Sequence, residues 1–331
     1  MHLAPRYDSM DCLKALGAFL VVTAHCYDTW NDWGYLWLFP IIRMSMPFFF
    51  MISGFFLYSD DREKALRKCR RAFVRIFWIT VFANLFYYLT FYVPHDILPL
   101  RKAKEIVAFL VFGTEKGVFQ FHLWYLNAYL ETLLVMMVAL KLRWMKGLWL
   151  LIVPGILMGL LFGKYELAFQ GFGDGIAIDR FMLTRNALTL SIPCVALGWA
   201  IAKYRVKLLE LVKRPLLTML VILALGEAEV YLLRLCGSPE YGEYLLCSIP
   251  LGAVMMVTAV KWPHFGRGSW VAKIGLRYSL GIYVYHAMFL RLLPSYGLDF
   301  LYEVKPLLSV EIFLITLGFT ALWRKASERI F

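Results

Sequence analysis

Long apolar segments alternate with short polar or charged stretches along the whole sequence. Most of these segments are about 20 residues long, which an α-helix needs to cross roughly 30 Å of hydrocarbon. The pattern predicts an all-α, polytopic membrane helix bundle with about ten transmembrane helices. The predicted spans are residues 12–30, 36–58, 72–93, 121–141, 147–163, 187–203, 215–236, 243–261, 275–293 and 306–323. Ile106 to Phe112 is apolar but too short to span, and it predicts an interfacial helix.

The composition supports a membrane protein and argues against a soluble or disordered one. Hydrophobic residues make up 61% of the chain and charged residues 18%, whereas a soluble domain is about half apolar and about a quarter charged. Intrinsic disorder requires low hydrophobicity, which this chain does not have. No Pro- or Gly-rich linker divides the sequence. We therefore expect residues 1–331 to form a single integral-membrane domain that is embedded in a lipid bilayer.

The formal net charge of +12 has a topological explanation. If the ten segments alternate in direction, most of the 35 Lys and Arg residues fall on the side that holds both termini. Cytoplasmic loops carry such an excess of positive charge. The sequence therefore predicts a multi-pass protein of the cell membrane with both termini in the cytoplasm. No basic stretch lies in a foldable soluble unit, so no nucleic-acid partner is expected.

The first span contains two polar residues whose spacing is informative. Lys14 and His25 are eleven residues apart, which corresponds to about three helical turns and roughly 16 Å. Both side chains therefore project from one face, and Asp11 lies close enough along the helix to pair with Lys14. An interfacial lysine and a buried, hydrogen-bonded histidine would also explain this pattern. A polar residue inside the membrane is costly, however, so a functional role is the sharper hypothesis.

Further polar motifs follow at or inside other spans. They are Arg43 and the run Pro47 to Gly54 with Ser53, the cluster Lys68 to Arg75, the run His122-Leu123-Trp124-Tyr125-Leu126, the run Thr184-Arg185-Asn186, and the segment Tyr278 to His286. In this order, together with Lys14 and His25, the motifs resemble the acyltransferase-3 family of membrane acyltransferases over nearly the whole chain. The resemblance implies transfer of an acyl group, usually from cytoplasmic acetyl-CoA, to a sugar or another hydroxylated acceptor. The sequence departs from the family pattern in two ways. The family often has Arg-x-x-Arg at the start of the third span, whereas Arg71 and Arg75 are one residue further apart, and Ala15 stands where glycine is common.

The residues can be given roles in such a reaction. His25 is the candidate catalytic general base, because the near-neutral pKa of histidine suits proton abstraction at working pH. Lys14, Arg71 and Arg75 are candidate ligands for the acyl-CoA phosphates, and Ser53 is a candidate hydrogen-bond donor to the thioester. The other candidates, which would bind an envelope glycan, a glycolipid or a small acceptor, or stabilise an oxyanion, are Arg43, His122, Trp124, Arg185 and His286.

Each of these residues also has a purely structural interpretation. The cations could only set the topology, Ser53 could only let helices pack closely, and His122 with Trp124 could belong to an interfacial aromatic belt. His286 could only form a hydrogen bond between helices in the core. The carboxylates Glu131, Glu227, Glu229 and Glu311 could neutralise Arg43 or Arg185.

Two rival functions remain open at the level of sequence. Arg185-Asn186 and the following apolar helix also resemble the membrane portion of the serine racemases of vancomycin-resistance operons, which suggests a transporter of serine or another small solute. A non-catalytic membrane scaffold is the other possibility. The six cysteines have no metal-binding spacing, so no metal is predicted, although Cys236 and Cys247 lie close enough to the same membrane face to form a disulfide.

Overall fold

The computed structural model describes residues 6–27, 37–92, 121–166, 183–238, 245–295 and 304–330. All regular secondary structure in these ranges is helical, which confirms the all-α prediction. The predicted interfacial helix at 106–112 lies outside the described residues.

Thirteen α-helices of one turn or more are found in the described part of the chain. They are α1 (Asp8–Cys26), α2 (Phe39–Leu57), α3 (Arg62–Tyr87), α4 (Trp124–Lys141), α5 (Met145–Leu150), α6 (Ile152–Leu161), α7 (Ile192–Lys203), α8 (Arg205–Leu211), α9 (Pro215–Leu235), α10 (Ser248–Lys261), α11 (Trp270–Arg277), α12 (Ser279–Ser295) and α13 (Lys305–Ile330). Short 3₁₀ or π-helical turns extend three of them, over Tyr88–Tyr92, Phe121–Leu123 and Ala187–Ser191.

Several of these helices are suited to a membrane, although fewer than predicted are long enough by themselves. Five are long and apolar enough to cross a bilayer, over Asp8–Cys26, Phe39–Leu57, Arg62–Phe91, Pro215–Leu235 and Pro306–Lys325. A sixth span results if Ala187–Lys203 and Arg205–Leu211 are counted together despite an 85° bend between them. Shorter apolar helices occupy Met145–Leu161, Ser248–Lys261 and Ser279–Leu293. The protein is therefore a membrane protein with five or six candidate spans among its described residues, and a count of about ten is not confirmed.

The outward faces of α3 and α9 are apolar, as expected for helices in contact with lipid. On α3 the large side chains of Trp78, Phe82 and Leu85 are exposed, and on α9 only Pro215, Gly226 and Val230 are buried. Burying such surfaces drives the folding of a soluble protein, so their exposure is stable only in an apolar solvent. These faces therefore mark the outside of the bundle in the membrane.

Close helix contacts through glycine hold the inner helices together. A Cβ atom on Gly54 of α2 would collide with the backbone carbonyl of Val195 on α7, and one on Gly198 of α7 would collide with the backbone of Met51. Small residues allow backbones to approach closely where no water drives association. Gly275 of α11 packs in the same way on the backbone of Asp11 in α1. These contacts fix α1 and α2, which carry several of the predicted site residues, in the centre of the bundle.

The cysteines form no disulfide in the described part of the chain. Cys236 is an exposed thiol and Cys247 a buried one, and neither is bonded to another cysteine. The two residues lie at the end of α9 and just before α10, where Cys247 packs against Gly226. The disulfide that the sequence allowed is therefore absent from this structure.

Candidate active site

A cavity of about 550 Å³ lies between the inner helices at one end of the bundle. We call it the first cavity. Residues of α1, α2, α3, α4, α11 and α12 line it, and they include all four predicted donor ligands: Lys14, Ser53, Arg71 and Arg75. The structure therefore brings these four side chains, which come from three helices, to one space.

The first cavity is strongly basic. Lys68 and Arg277 line it together with Lys14, Arg71 and Arg75, and no carboxylate is among the lining residues that the structure describes. The Lys14 ammonium is held by Asp11 at 3.0 Å, and the Lys68 Nζ donates to the backbone carbonyls of Phe56 and Tyr58 at 2.9 and 2.6 Å. The remaining positive charge creates a field that favours a polyanionic ligand.

Hydroxyl groups line the cavity further in. The Ser53 Oγ donates to the Phe49 carbonyl at 2.9 Å, which is the usual bond of a serine to its own helix. The hydroxyls of Tyr125 and Tyr129, on α4, lie close to the same Ser53 oxygen. These three groups give the inner part of the cavity a neutral polar lining beyond its charged rim.

Aromatic side chains close the inner end of the first cavity. Phe49 of α2, Tyr125 of α4 and Tyr283 of α12 all line it, and we call these three residues the aromatic layer. Their ring centroids are 6.4 Å apart for Phe49 and Tyr125, and 5.4 Å apart for Tyr125 and Tyr283. Phe49 also packs into the space above Gly17 of α1, where a Cβ atom would lie 2.9 Å from its ring. The aromatic layer therefore connects α1, α2, α4 and α12.

One turn beyond this layer, the same helix faces carry histidines or an arginine. On α12, His286 follows Tyr283 by three residues, and just before α4, His122 precedes Tyr125 by three. On α2, Arg43 precedes the cavity-lining Met46 by three residues. Residues three apart lie on one helix face. His286, His122 and Arg43 thus form the layer of side chains that follows the aromatic layer along the axis of the first cavity.

The three histidines predicted from sequence form one cluster in this next layer. The ring centroid of His286 is 5.0 Å from that of His25 and 5.1 Å from that of His122. His122 and His286 are 1% and 0% exposed, whereas His25 is only half-buried. His25 is therefore the member of the histidine cluster that a substrate can reach most easily.

Backbone carbonyls fix the two buried rings. The His286 Nδ1 lies 2.8 Å from the Tyr283 carbonyl and 3.1 Å from that of Ile282, and the His122 Nε2 lies 3.0 Å from the Val284 carbonyl. Because a carbonyl only accepts, each of these ring nitrogens carries a proton. In the neutral ring His286 then has a lone pair on Nε2, which has no hydrogen-bond partner among the described residues. This nitrogen can accept a proton or a hydrogen bond.

Two tyrosine hydroxyls donate hydrogen bonds to backbone carbonyls at the histidine cluster. The Tyr283 hydroxyl donates to the backbone carbonyl of His122, and the Tyr87 hydroxyl donates to the Val284 carbonyl at 2.8 Å. The ring of Tyr283 thus lines the inner end of the first cavity, and its hydroxyl stabilises the backbone of the histidine cluster at His122. It is the one described side chain that both lines the first cavity and donates a hydrogen bond to a residue of the cluster.

Cationic side chains lie near the histidine cluster on the side away from the first cavity. Arg43 and Arg185 are close enough to His25 to interact with it electrostatically. The guanidinium of Arg43 lies 4.7 Å from the centre of the Phe39 ring, and the Nζ of Lys164 lies 5.2 Å from the same ring. Lys164 is 1% exposed, which is unusual for a lysine. Arg43, Arg185 and Lys164 thus place three cationic side chains in this region.

Trp124 occupies a different environment from the other predicted acceptor ligands. It is 5% exposed, and its ring packs against Phe50 with a centroid distance of 6.4 Å. The described contacts of its ring are thus core contacts between α4 and α2.

Sequence reasoning missed several residues of the site. Lys68, Arg277, Tyr125, Tyr129 and Tyr283 line the first cavity, and none was assigned a role. A signal was present for the tyrosines, since Tyr125 and Tyr129 follow His122 at three and seven residues, and Tyr283 precedes His286 by three. No group of three or more His, Cys, Asp or Glu residues that could hold a metal ion is found in the described ranges.

Comparison with known protein families identifies the family to which this chain belongs. A family model described as an acyltransferase domain, that of the acyltransferase-3 family, matches residues 7–323. Searches of curated proteins and of solved structures return no significant match. Because the family model covers nearly the whole chain, including every residue of the first cavity and of the histidine cluster, the protein belongs to the acyltransferase-3 family of membrane acyltransferases.

Proposed function

We propose that this protein transfers an acetyl group from acetyl-CoA to a hydroxyl of a cell-envelope glycan or glycolipid. The observation that carries the proposal is the arrangement of two compartments in series. The basic first cavity ends at the aromatic layer, and the histidine cluster begins one helical turn beyond it. Family membership favours acyl transfer over solute transport.

The first cavity suits the donor in both shape and charge. Coenzyme A carries phosphates at its nucleotide end and a long neutral pantetheine arm that ends in the sulfur. Lys14, Arg71 and Arg75 line the cavity, and their cationic groups would bind the phosphates. The pantetheine arm would extend past Ser53 and between the rings of the aromatic layer to present the thioester to His25, and the roughly 16 Å from Lys14 to His25 is a length it can span.

The histidine cluster suits the chemical step. We assign His25 the role of general base: its imidazole removes the proton from the acceptor hydroxyl, and the resulting oxygen nucleophile attacks the thioester carbonyl. The tetrahedral intermediate collapses by breaking the carbon–sulfur bond, and the CoA sulfur leaves with the proton that His25 took. The products are the acetyl ester and free CoA, so neither a metal nor a redox cofactor is consumed.

The remaining polar groups would bind the acceptor and stabilise charge. Arg43 and Arg185 act electrostatically at His25 and can offset the negative charge that develops on the carbonyl oxygen. His122 and His286 have their ring orientations fixed by backbone carbonyls, so they can position an acceptor hydroxyl beside His25. We assign Trp124 a role in packing rather than in acceptor binding.

The same proposal sets the direction of the reaction across the membrane. The basic end of the bundle, with Lys14, Arg71, Arg75 and Arg277, faces the cytoplasm, where acetyl-CoA is made. The opposite end, with Arg43 and Arg185, faces outward, where an envelope acceptor is available. Both termini are then cytoplasmic and the protein resides in the cell membrane.

The test is a transfer assay with purified protein in sealed vesicles. Radiolabelled acetyl-CoA should acetylate an extract of envelope glycans, and mass spectrometry should locate the new ester on a hydroxyl. The label should be used only from the side that exposes Lys14, as probed by labelling a cysteine introduced beside it. Uptake of serine by the same vesicles without any acetyl transfer would contradict the proposal and support transport.

A further inference from the structure

A second cavity opens beside the first at the basic end of the bundle. It has a volume of about 410 Å³, and its lining includes Arg6, Asp8, His264, Arg267 and Lys273. Leu276 and Arg277 of α11 line both this second cavity and the first. The two spaces are therefore neighbours that share these two residues as a wall.

The second cavity has more positive charge than its carboxylate can neutralise. Asp8 already pairs with the Arg6 Nε at 2.9 Å and lies 3.7 Å from the His264 ring. Arg267, Lys273 and Arg277 make no ion pair with a carboxylate among the described residues. Three cations in one concave space repel each other, and a bound anion relieves that repulsion.

The backbone holds these cations in a defined arrangement. Arg267 lies between Gly266 and Gly268, whose φ angles of +75° and +79° are easily adopted only by glycine. Ser269 then caps α11 by accepting a hydrogen bond from the Ala272 amide at 3.1 Å. Lys273 and Arg277 are four residues apart on one face of α11, which Gly275 anchors against α1. The fold thus sets the backbone positions of these three residues, whose side chains are exposed at the mouth of the cavity.

We propose that the second cavity binds the ribose 3′-phosphate of coenzyme A, while the first cavity binds its diphosphate and pantetheine arm. This inference rests on the proposed function, because it extends the donor site. Coenzyme A carries a phosphate monoester separate from its diphosphate, and a phosphate monoester is largely dianionic at neutral pH. Arg277, in the wall between the cavities, can contact either phosphate group. A phosphate monoester on a lipid headgroup has the same chemistry, but the donor is favoured because Leu276 and Arg277 line both cavities.

The test compares acetyl-CoA with acetyl-3′-dephospho-CoA, which lacks only this phosphate. Both are titrated into the full-length protein in nanodiscs of neutral lipid. The wild type should bind the dephospho analogue about tenfold more weakly. The variant carrying Arg267→Gln and Lys273→Gln should bind acetyl-CoA about tenfold more weakly and the dephospho analogue unchanged, so that the discrimination disappears.

Controls separate this inference from a folding defect and from the proposed function itself. Unchanged binding of the dephospho analogue shows that the variant is folded, and Lys207→Gln, which removes an exposed cation elsewhere, should keep the full discrimination. Equal binding of both donors by the wild type would overturn the inference alone, as would an equal loss for both donors in the variant. If the double variant binds acetyl-CoA more weakly than the wild type only when anionic lipid is added, the second cavity binds a lipid headgroup, and the inference is overturned. A wild type that binds neither donor would refute the proposed function as well.

Discussion

The first cavity and the histidine cluster lie in series within the same helices, yet they are built in opposite ways. The cavity is lined by long, flexible side chains such as Arg71 and Arg75, and it leaves about 550 Å³ open. In the histidine cluster the rings are 5.0 and 5.1 Å apart, and two of them are fully buried and bound to backbone carbonyls. The first cavity can adjust to a ligand, whereas the histidine cluster holds its ring nitrogens in place.

This difference corresponds to different demands on binding and on chemistry. Several cations share the attraction to a polyanion, so each contributes a part and can be partly replaced by its neighbours. A proton transfer requires one nitrogen at hydrogen-bond distance in one protonation state, and no neighbour can replace it without moving. We therefore expect substitutions in the histidine cluster to lower the rate of the chemical step and those in the first cavity to weaken donor binding.

The largest effect is expected for His25→Ala. Loss of the general base should lower kcat by about a thousandfold, within the range that acid–base catalysis contributes. Binding of acetyl-CoA should stay nearly unchanged, because its phosphates and most of its pantetheine arm are bound in the first cavity, which His25 does not line. The measurement is a transfer assay together with a donor titration of the same preparation. If the variant retains a tenth of the wild-type kcat, His25 is not the base.

A smaller effect, and one of a different kind, is expected in the first cavity. The double variant with Arg71→Gln and Arg75→Gln should raise KM for acetyl-CoA about thirtyfold and change kcat by less than about twofold, since each lost charge-assisted contact costs about 1 kcal/mol. Raising the salt concentration should weaken donor binding by the wild type in the same direction.

The matched control for this variant is Arg67→Gln. Arg67 lies on the same helix, α3, but does not line the first cavity. Its replacement should leave KM unchanged. An equal rise in KM for the control would mean that the net charge of the helix matters and that the cavity contacts do not.

The sequence predicts the helices and the helical relation between site residues on one helix, but it does not fix the number of spans. Helical spacing relates Lys14 to His25 because both lie on one helix, α1, and the apolar segments locate the helices themselves. The predicted number of spans is not confirmed: the segments 147–163 and 187–203 are short for a span, and hydropathy does not reveal where such a helix bends. The chain turns by 85° between Lys203 and Arg205, and α5 and α6 are separated at Leu151.

Contacts between distant helices are the other part that the sequence could not provide. A hydrophobic pattern tells which face of a helix is buried but not which helix covers it. Arg277 and Lys68 reach the first cavity because Gly275 packs on Asp11 and because Lys68 bonds the end of α2. Tyr283 was part of a recognised motif, but its role as a wall depends on its contacts with Tyr125 and with the His122 carbonyl.

The smallest expected effect concerns this link between the two regions. Tyr283→Phe keeps the ring in the aromatic layer but removes the hydroxyl that donates to the His122 carbonyl. We expect kcat to fall about fivefold with KM for acetyl-CoA unchanged, because the histidine cluster loses about 1 kcal/mol of positional restraint while the first cavity keeps its wall. The matched control is Tyr285→Phe, two residues away on α12, because the Tyr285 hydroxyl has no hydrogen-bond partner among the described residues and its ring packs on Phe86 and Phe319. Steady-state kinetics of both variants, at equal thermal stability, measures the difference. A rise in KM without a fall in kcat would show that Tyr283 acts only as a wall of the first cavity, and the two regions would then be independent.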